Sequence, residues 1–292
     1  MRGKAALAAL LWMGCAAANL WAAERYAASG VILKIDRPHH TFVASCKAIP
    51  GYMEAMAMPI PVHDAKLLDG LRPGAMVEFT LVVTSSDAYA EDLKIHRYQS
   101  TEREPLQAGR LQLLESFGQH DPAARELGVG EPVPDFTLTD QTGQTVRLSQ
   151  FAGKVVAAAF VYTSCPLPNY CFRLSNNLGQ LQKRFADRMG RDLILLSVTI
   201  DPVHDTPQVL EKYAATWKAD PKSWHFLTGP EADVKTVCRG FGVNFWPDEG
   251  ALTHSLHTVV IDRQGKLAAN FEGNEFSAVQ LGDFVDAVIR RP

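Results

Sequence analysis

The apolar positions change rhythm part-way along the chain. Over about the first hundred residues they come in short stretches broken by turns. Residues 30–36 alternate like a strand, and 41–45, 58–62, 77–83 and 92–96 are further short strand candidates. Turn signals separate them at Arg37-Pro38, Pro50-Gly51 and Arg72-Pro73-Gly74. Five short strands in about seventy residues predict a small all-β, OB-like closed barrel. From about Gly130 the runs lengthen. Residues 155–163 and 193–200 are continuously apolar, as strands buried on both faces are. Cys171, Leu174, Leu178, Leu181 and Phe185 recur at three- and four-residue spacing, which predicts a helix. A hairpin around Gln141-Thr142-Gly143, strands at 224–227, 258–262 and 267–272, and helices from Asp205, over 231–240 and over 278–291 complete an α/β pattern. At Asp205-Thr206-Pro207 a capping residue and an early proline mark a helix start.

Between the two patterns the chain is polar and irregular, with one short helix candidate over 109–118. The organisation read from this is a leader at 1–23, a barrel domain at 25–100, a linker at 101–130 and an α/β domain at 131–292. The leader has a charged start, Arg2 and Lys4, an apolar run over 5–18 and small residues ending in Ala22-Ala23. That run is shorter than the ~20 residues a spanning helix needs, so a cleaved secretory signal is expected, with an uncleaved N-terminal anchor as the alternative. Cys15 then belongs to the leader. The expected location is the periplasm or cell envelope, with membrane contact only through such an anchor. At 292 residues, 47% hydrophobic and 21% charged, the chain has room for about two folded domains. A net charge of −3 gives no basis for nucleic-acid binding.

The chemistry concentrates in sulfur. Cys165 and Cys171, with five residues between them, stand where the first buried run meets the helical stripe. Strand-to-helix junctions are where α/β folds place reactive groups, and amides freed at a helix start stabilise a thiolate. Pro166 and Pro168 hold Cys165 in the loop, so it should be the exposed thiol and Cys171 half sheltered. Such a pair can form a disulfide, bind a soft metal or run thiol exchange. Cys238 falls among apolar neighbours in a helix and reads as core. In the barrel, Met53, Met56 and Met58 crowd behind Cys46, and Met56 and Met58 share one face of a strand. Thioethers and thiolates select Cu(I); core filling is the plainer use of methionine.

Two resemblances sharpen this. Gly30-Val-Ile-Leu-Lys-Ile-Asp36, Ile49-Pro-Gly-Tyr-Met-Glu-Ala-Met-Ala-Met-Pro59 and Leu68-Asp-Gly-Leu-Arg-Pro-Gly74 resemble the CusF-type copper-binding domain, a five-stranded barrel that holds Cu(I) with two methionines and a histidine beside an aromatic. Met56 and Met58 match the methionines, Cys46 stands at the histidine position, and Tyr52 or Met53 occupies the aromatic region. The α/β part resembles the Sco/SenC family in Pro134-Asp-Phe-Thr-Leu138, the Cys165 loop, Ser197-Val-Thr-Ile-Asp-Pro-Val-His-Asp-Thr-Pro-Gln-Val-Leu210 and Thr253-His-Ser-Leu-His-Thr-Val-Val-Ile-Asp262. That resemblance implies a thioredoxin-like fold and a copper site of Cys165, Cys171 and His254, with Cu(I) preferred and Cu(II) the alternative. It also implies copper delivery to a cytochrome oxidase subunit or another envelope copper protein, or a part in envelope copper homeostasis. The alternative is a thiol–disulfide reductase in which Cys165 attacks a partner's disulfide and Cys171 resolves it. The chain departs from the family in its five-residue cysteine spacing, in Phe172 after the second cysteine and in Thr253 before the histidine. His257 is expected to face away from His254, and His204 to be structural.

Overall fold

The structure is a computed structural model that describes residues 23–96, 126–248 and 251–291. The expected leader, apart from its last residue, and the helix candidate over 109–118 lie outside the described residues. Among the described residues no helix is long and apolar enough to cross a membrane.

The first part is an antiparallel sheet of β1 (Glu24–Asp36), β2 (Thr41–Cys46), β3 (Met56–Pro61), β4 (Met76–Val83) and β5 (Ala88–His96), ordered β3-β2-β1-β4-β5. A bridge between Val62 and Ala90 joins its two edges, so the sheet curls into the expected barrel. Ile32, Phe42, Ala44, Cys46, Ile60, Phe79 and Leu81 fill its interior. The alternation expected over 30–36 is broken, because Val31, Ile32 and Leu33 are all buried. Ile32 points into the barrel, while Val31 and Leu33 belong to the core of the second part. Both faces of β1 are therefore covered.

The second part has a seven-stranded sheet ordered β14-β13-β8-β9-β10-β6-β7. Its strands are β6 (Thr137–Asp140), β7 (Thr145–Arg147), β8 (Val155–Val161), β9 (Leu193–Thr199), β10 (Trp224–Thr228), β13 (His257–Ile261) and β14 (Leu267–Glu272). β8, β9 and β10 run parallel, with every residue of the three buried. Helices α1 (Arg173–Arg184), α2 (Pro207–Thr216), α3 (Glu231–Gly240) and α4 (Ala278–Ile289) flank this sheet. The stripe on α1 is buried as its spacing predicts: Leu174, Leu178 and Leu181 are fully covered. Each such side chain removed from water contributes roughly 1.5–3 kcal/mol. A separate hairpin, β11 (Phe245–Asp248) and β12 (Ala251–His254), has no counterpart in the pattern-based expectation. Its residues are too mixed in polarity to show a strand period.

The two parts are packed together. Strand β1 and the outer face of β2 lie on α4, and Gly74 meets β14 so closely that a Cβ there would stand 2.4 Å from the Cβ of Ala269. With φ at +84° as well, that position suits only glycine.

Candidate metal centre

The site forms beyond the carboxyl ends of β8 and β9, where a parallel sheet leaves a crevice. After Val161 the chain turns through Tyr162 to Cys165 and enters a wide helical turn, Pro168–Phe172, before α1. Pro168 occupies the first position of that turn, where its missing N–H costs nothing. Cys171 thus lands inside the turn and is 1% exposed. Burial of Cys171 is deeper than the half shelter expected, because β8, Tyr162 and His254 cover it as well as α1. Cys165 is half-buried, and its sulfur lies 3.8 Å from Leu167 O.

His254 closes β12 rather than opening a strand. Ser255 interrupts the chain there: its N–H donates to Asn244 O at 2.9 Å, and its hydroxyl accepts from Asn244 N at 2.9 Å. β13 starts only at His257, whose Nδ1 sits 2.9 Å from Asn270 Oδ1, so it is engaged elsewhere as expected. His254 is buried, and its two ring nitrogens have distinct surroundings. Nδ1 lies 2.9 Å from Ser255 O, a pure acceptor, so Nδ1 carries the proton. Nε2 is then left with a free lone pair, and it faces Cys171 Sγ at 3.4 Å. Burial holds the imidazole neutral down to a pKa of about 4. A neutral imidazole with a free Nε2 beside a sulfur is the form that binds a metal.

The thiols divide one proton unequally. A hydrogen bond from Cys171 lowers Cys165 to a pKa of about 6, against the opposing effect of burial. The same bond, followed by burial, drives Cys171 far up. Cys165 is the thiolate and Cys171 the thiol that donates to it. Tyr162 closes the back of the site; its hydroxyl donates to Leu252 O at 3.0 Å and its ring stands edge-on to His254 at 5.9 Å.

Cys171 therefore meets Cys165 on one side and His254 on the other. Among the described residues no group of three or more His, Cys, Asp or Glu side chains is arranged to hold an ion as it stands. Of Cys165, Cys171 and His254, only Cys165 is not buried. Two thiols and an imidazole suit a soft ion such as Cu(I).

Asp205 does not cap the helix that follows it. The capping position of α2 is Thr206, which makes no side-chain capping bond. The Asp205 carboxylate is turned inward and 1% exposed. It accepts from Thr163 N at 3.1 Å, Thr163 Oγ1 at 2.5 Å and Thr199 Oγ1 at 2.5 Å. The carboxylate ties the loop two residues before Cys165 to the end of β9. Pattern reading took Asp205 for a helix start and missed it as a site residue, and it missed Tyr162, which stands at the end of the apolar run before the cysteine loop. His204, on the same loop, is exposed and bonds Asp201 at 2.9 Å. Cys238 is fully buried in α3, and burial pushes its thiol up to about 12.

In the barrel, β2 and β3 pair so that Cys46 faces Met56 and Ala44 faces Met58. Cys46, Met56 and Met58 therefore share the inward face. Cys46 is 3% exposed and Met56 51%, so the group sits at the rim of the barrel rather than in its middle. The Cys46 sulfur lies 3.8 Å from Ala44 O, and burial raises its pKa to about 11. Met53 packs on the barrel core, while Tyr52 stacks on Tyr26 at 4.2 Å.

The SCO1/SenC family model matches residues 126–289. This chain belongs to the SCO1/SenC family. A second model, for copper binding periplasmic protein CusF, matches residues 25–94. The SCO1 protein homolog of Bacillus subtilis is 28% identical over 147 residues, 49% of this chain and 75% of that protein. A SCO2-like protein of Rickettsia typhi is 29% identical over 195 residues, 64% of this chain and 85% of its own. A crystal structure of yeast Sco1 with copper bound aligns with 57% of this chain and 91% of its own, at 24% identity and a TM-score of 0.48. The chain is thus a Sco protein of a copper-binding family, with a CusF-like domain placed before the Sco domain.

Proposed function

We propose that this chain is an exported copper carrier that binds Cu(I) through Cys165, Cys171 and His254 and delivers it to an envelope oxidase. A second Cu(I) site of Cys46, Met56 and Met58 belongs to the barrel. The observation that carries the reading is the free Nε2 of His254 held 3.4 Å from Cys171 Sγ, with Nδ1 occupied by Ser255 O. A buried, neutral imidazole aimed at a thiol has little use in disulfide exchange, which needs no third group. As a ligand beside two sulfurs it completes a trigonal site for a soft ion. Family membership supports copper as the cargo, and the match to a periplasmic copper protein supports an envelope location. Copper here is cargo: residues hold it, shield it from water and release it to a receiver.

The test is a Cu(I) titration of the reduced chain against a competing chelator. His254→Ala should weaken one site by at least tenfold while Cys165 and Cys171 remain able to form a disulfide. Unchanged copper affinity would remove His254 from the site. The thiol–disulfide reductase is the second reading, favoured by the low pKa of Cys165 beside a protonated Cys171. In cells, delivery requires both Cys165 and His254 for a working oxidase. A His254→Ala strain with normal oxidase and a Cys165→Ser strain without it would favour the reductase.

A further inference from the structure

The barrel and the α/β domain are docked in a defined direction. Ser45, the neighbour of Cys46, is tied twice to α4: its hydroxyl donates to Asp283 Oδ2 at 2.6 Å, and Gln280 Nε2 donates to Ser45 O at 3.0 Å. At the other end of the same contact, Arg291 Nη2 donates to Leu33 O at 3.5 Å. The carboxyl end of β2, next to Cys46, therefore lies against the amino-terminal half of α4. The turn entering α4 is in turn tied to the cysteine loop, because Asn274 Nδ2 donates to Asn169 O, two residues before Cys171. Further bonds fix the barrel beside that turn, His96 to Glu275 at 2.9 Å and Arg72 to Glu272 at 3.3 Å. Val31 and Leu33, buried in the core of the α/β domain, and Gly74 against Ala269 hold the same arrangement from below. The end of β2 that carries Cys46 and the loop that carries Cys171 are thus both tied to the amino-terminal part of α4 and the turn before it. Each sulfur cluster has an accessible member, Met56 on the barrel rim and the half-buried Cys165 in the loop.

We propose that the barrel loads the Cys165–Cys171–His254 site in cis. Cu(I) captured by Cys46, Met56 and Met58 passes across the amino end of α4 to the cysteine loop of the same chain. The inference rests on the two-site reading above. The step is a ligand exchange: the bonds from copper to Cys46, Met56 and Met58 break as bonds to Cys165, Cys171 and His254 form. Copper stays Cu(I) and no electron moves. Cys171 gives up its proton to solvent on binding, and Cys46 takes one on release.

The experiment uses the full reduced chain, a limiting amount of Cu(I) bound to glutathione, and pulse alkylation with peptide mapping to read which cysteines copper protects over time. In the parent chain Cys46 should be protected first and Cys165 and Cys171 afterwards. Met56→Leu with Met58→Leu, which conserves side-chain volume, should slow protection of Cys165 and Cys171 at least tenfold while leaving the final Cu(I) affinity of that site unchanged. A second full chain with an intact barrel but Cys165→Ser and Cys171→Ser, added at equal micromolar concentration, should not restore the rate. Tethering gives an effective concentration in the millimolar range, about a hundredfold or more above that supplied in trans. Unchanged loading in the double methionine variant, or full rescue in trans, overturns the cis route. A parent chain that takes up only one Cu(I), or a double methionine variant that still takes up two, strikes instead at the two-site reading on which it rests.

Discussion

Replacing Asp205 by Ala removes the one acceptor that three buried donors share. Thr163 N, Thr163 Oγ1 and Thr199 Oγ1 all point at its carboxylate, at 3.1, 2.5 and 2.5 Å. The hydroxyls can rotate toward other acceptors, but the Thr163 N–H is fixed by the backbone and stays unsatisfied. Hydrogen bonds to a charged group contribute about 1.5–3 kcal/mol each, and an unsatisfied buried donor costs about 1–3 kcal/mol. With partial recovery by the hydroxyls, the expected loss of folding stability is about 3–5 kcal/mol. Asp205→Asn keeps one oxygen and the shape, so it should cost about half as much. The control is Asp201→Ala, whose carboxylate bonds, among the described side chains, only the exposed ring of His204 and should cost below about 1 kcal/mol. Urea unfolding of the reduced, copper-free chain measures all three. The denaturation midpoint should fall while its slope stays constant. An Asp205→Ala loss below about 1 kcal/mol, or one equal to that of Asp201→Ala, would refute the claim that this carboxylate clamps the Cys165 loop.

Two further expectations concern protons. The buried His254 titrates at about 4 in the folded chain, below the 6.5 of an unfolded histidine. Its contribution is therefore fully present above pH 6.5 and is lost as the pH falls, by ~1.4 kcal/mol per pH unit and about 3 kcal/mol by pH 4. In His254→Leu, acid unfolding of the copper-free chain should lose that part of its slope; an identical slope would show that His254 is not the buried neutral group. Cys165, lowered to about 6 chiefly by the Cys171 hydrogen bond, should react with iodoacetamide at a rate that climbs between pH 5 and 7 and then levels. Cys171→Ala should move that midpoint upward, and a parent midpoint near 9 would contradict the shared-proton arrangement.

The sequence alone determined which segments could be strands and helices, because those choices depend on local periodicity. The buried runs of β8 and β9, the apolar stripe of α1 and the short strands of the barrel all stand where their patterns place them. It also offered the candidate chemistry, since two cysteines at a strand–helix junction and two methionines on one face of a strand are read from spacing alone. What a buried residue packs against is a different matter, because it depends on partners far away in the chain. Val31 and Leu33 looked like one alternating barrel strand, yet their outer face is covered by the other domain. Asp205 looked like a helix cap, yet its carboxylate turns to Thr163, 42 residues away. His254 lies 83 residues from Cys171, and only the β11–β12 hairpin and the Ser255 turn aim its Nε2 at that sulfur. The docking of the Cys46 end of β2 on α4 is decided in the same way, by hydrogen bonds between Ser45 and a helix more than 230 residues later. Local pattern encodes that a face must be covered; the tertiary fold decides by what, and that choice builds the site.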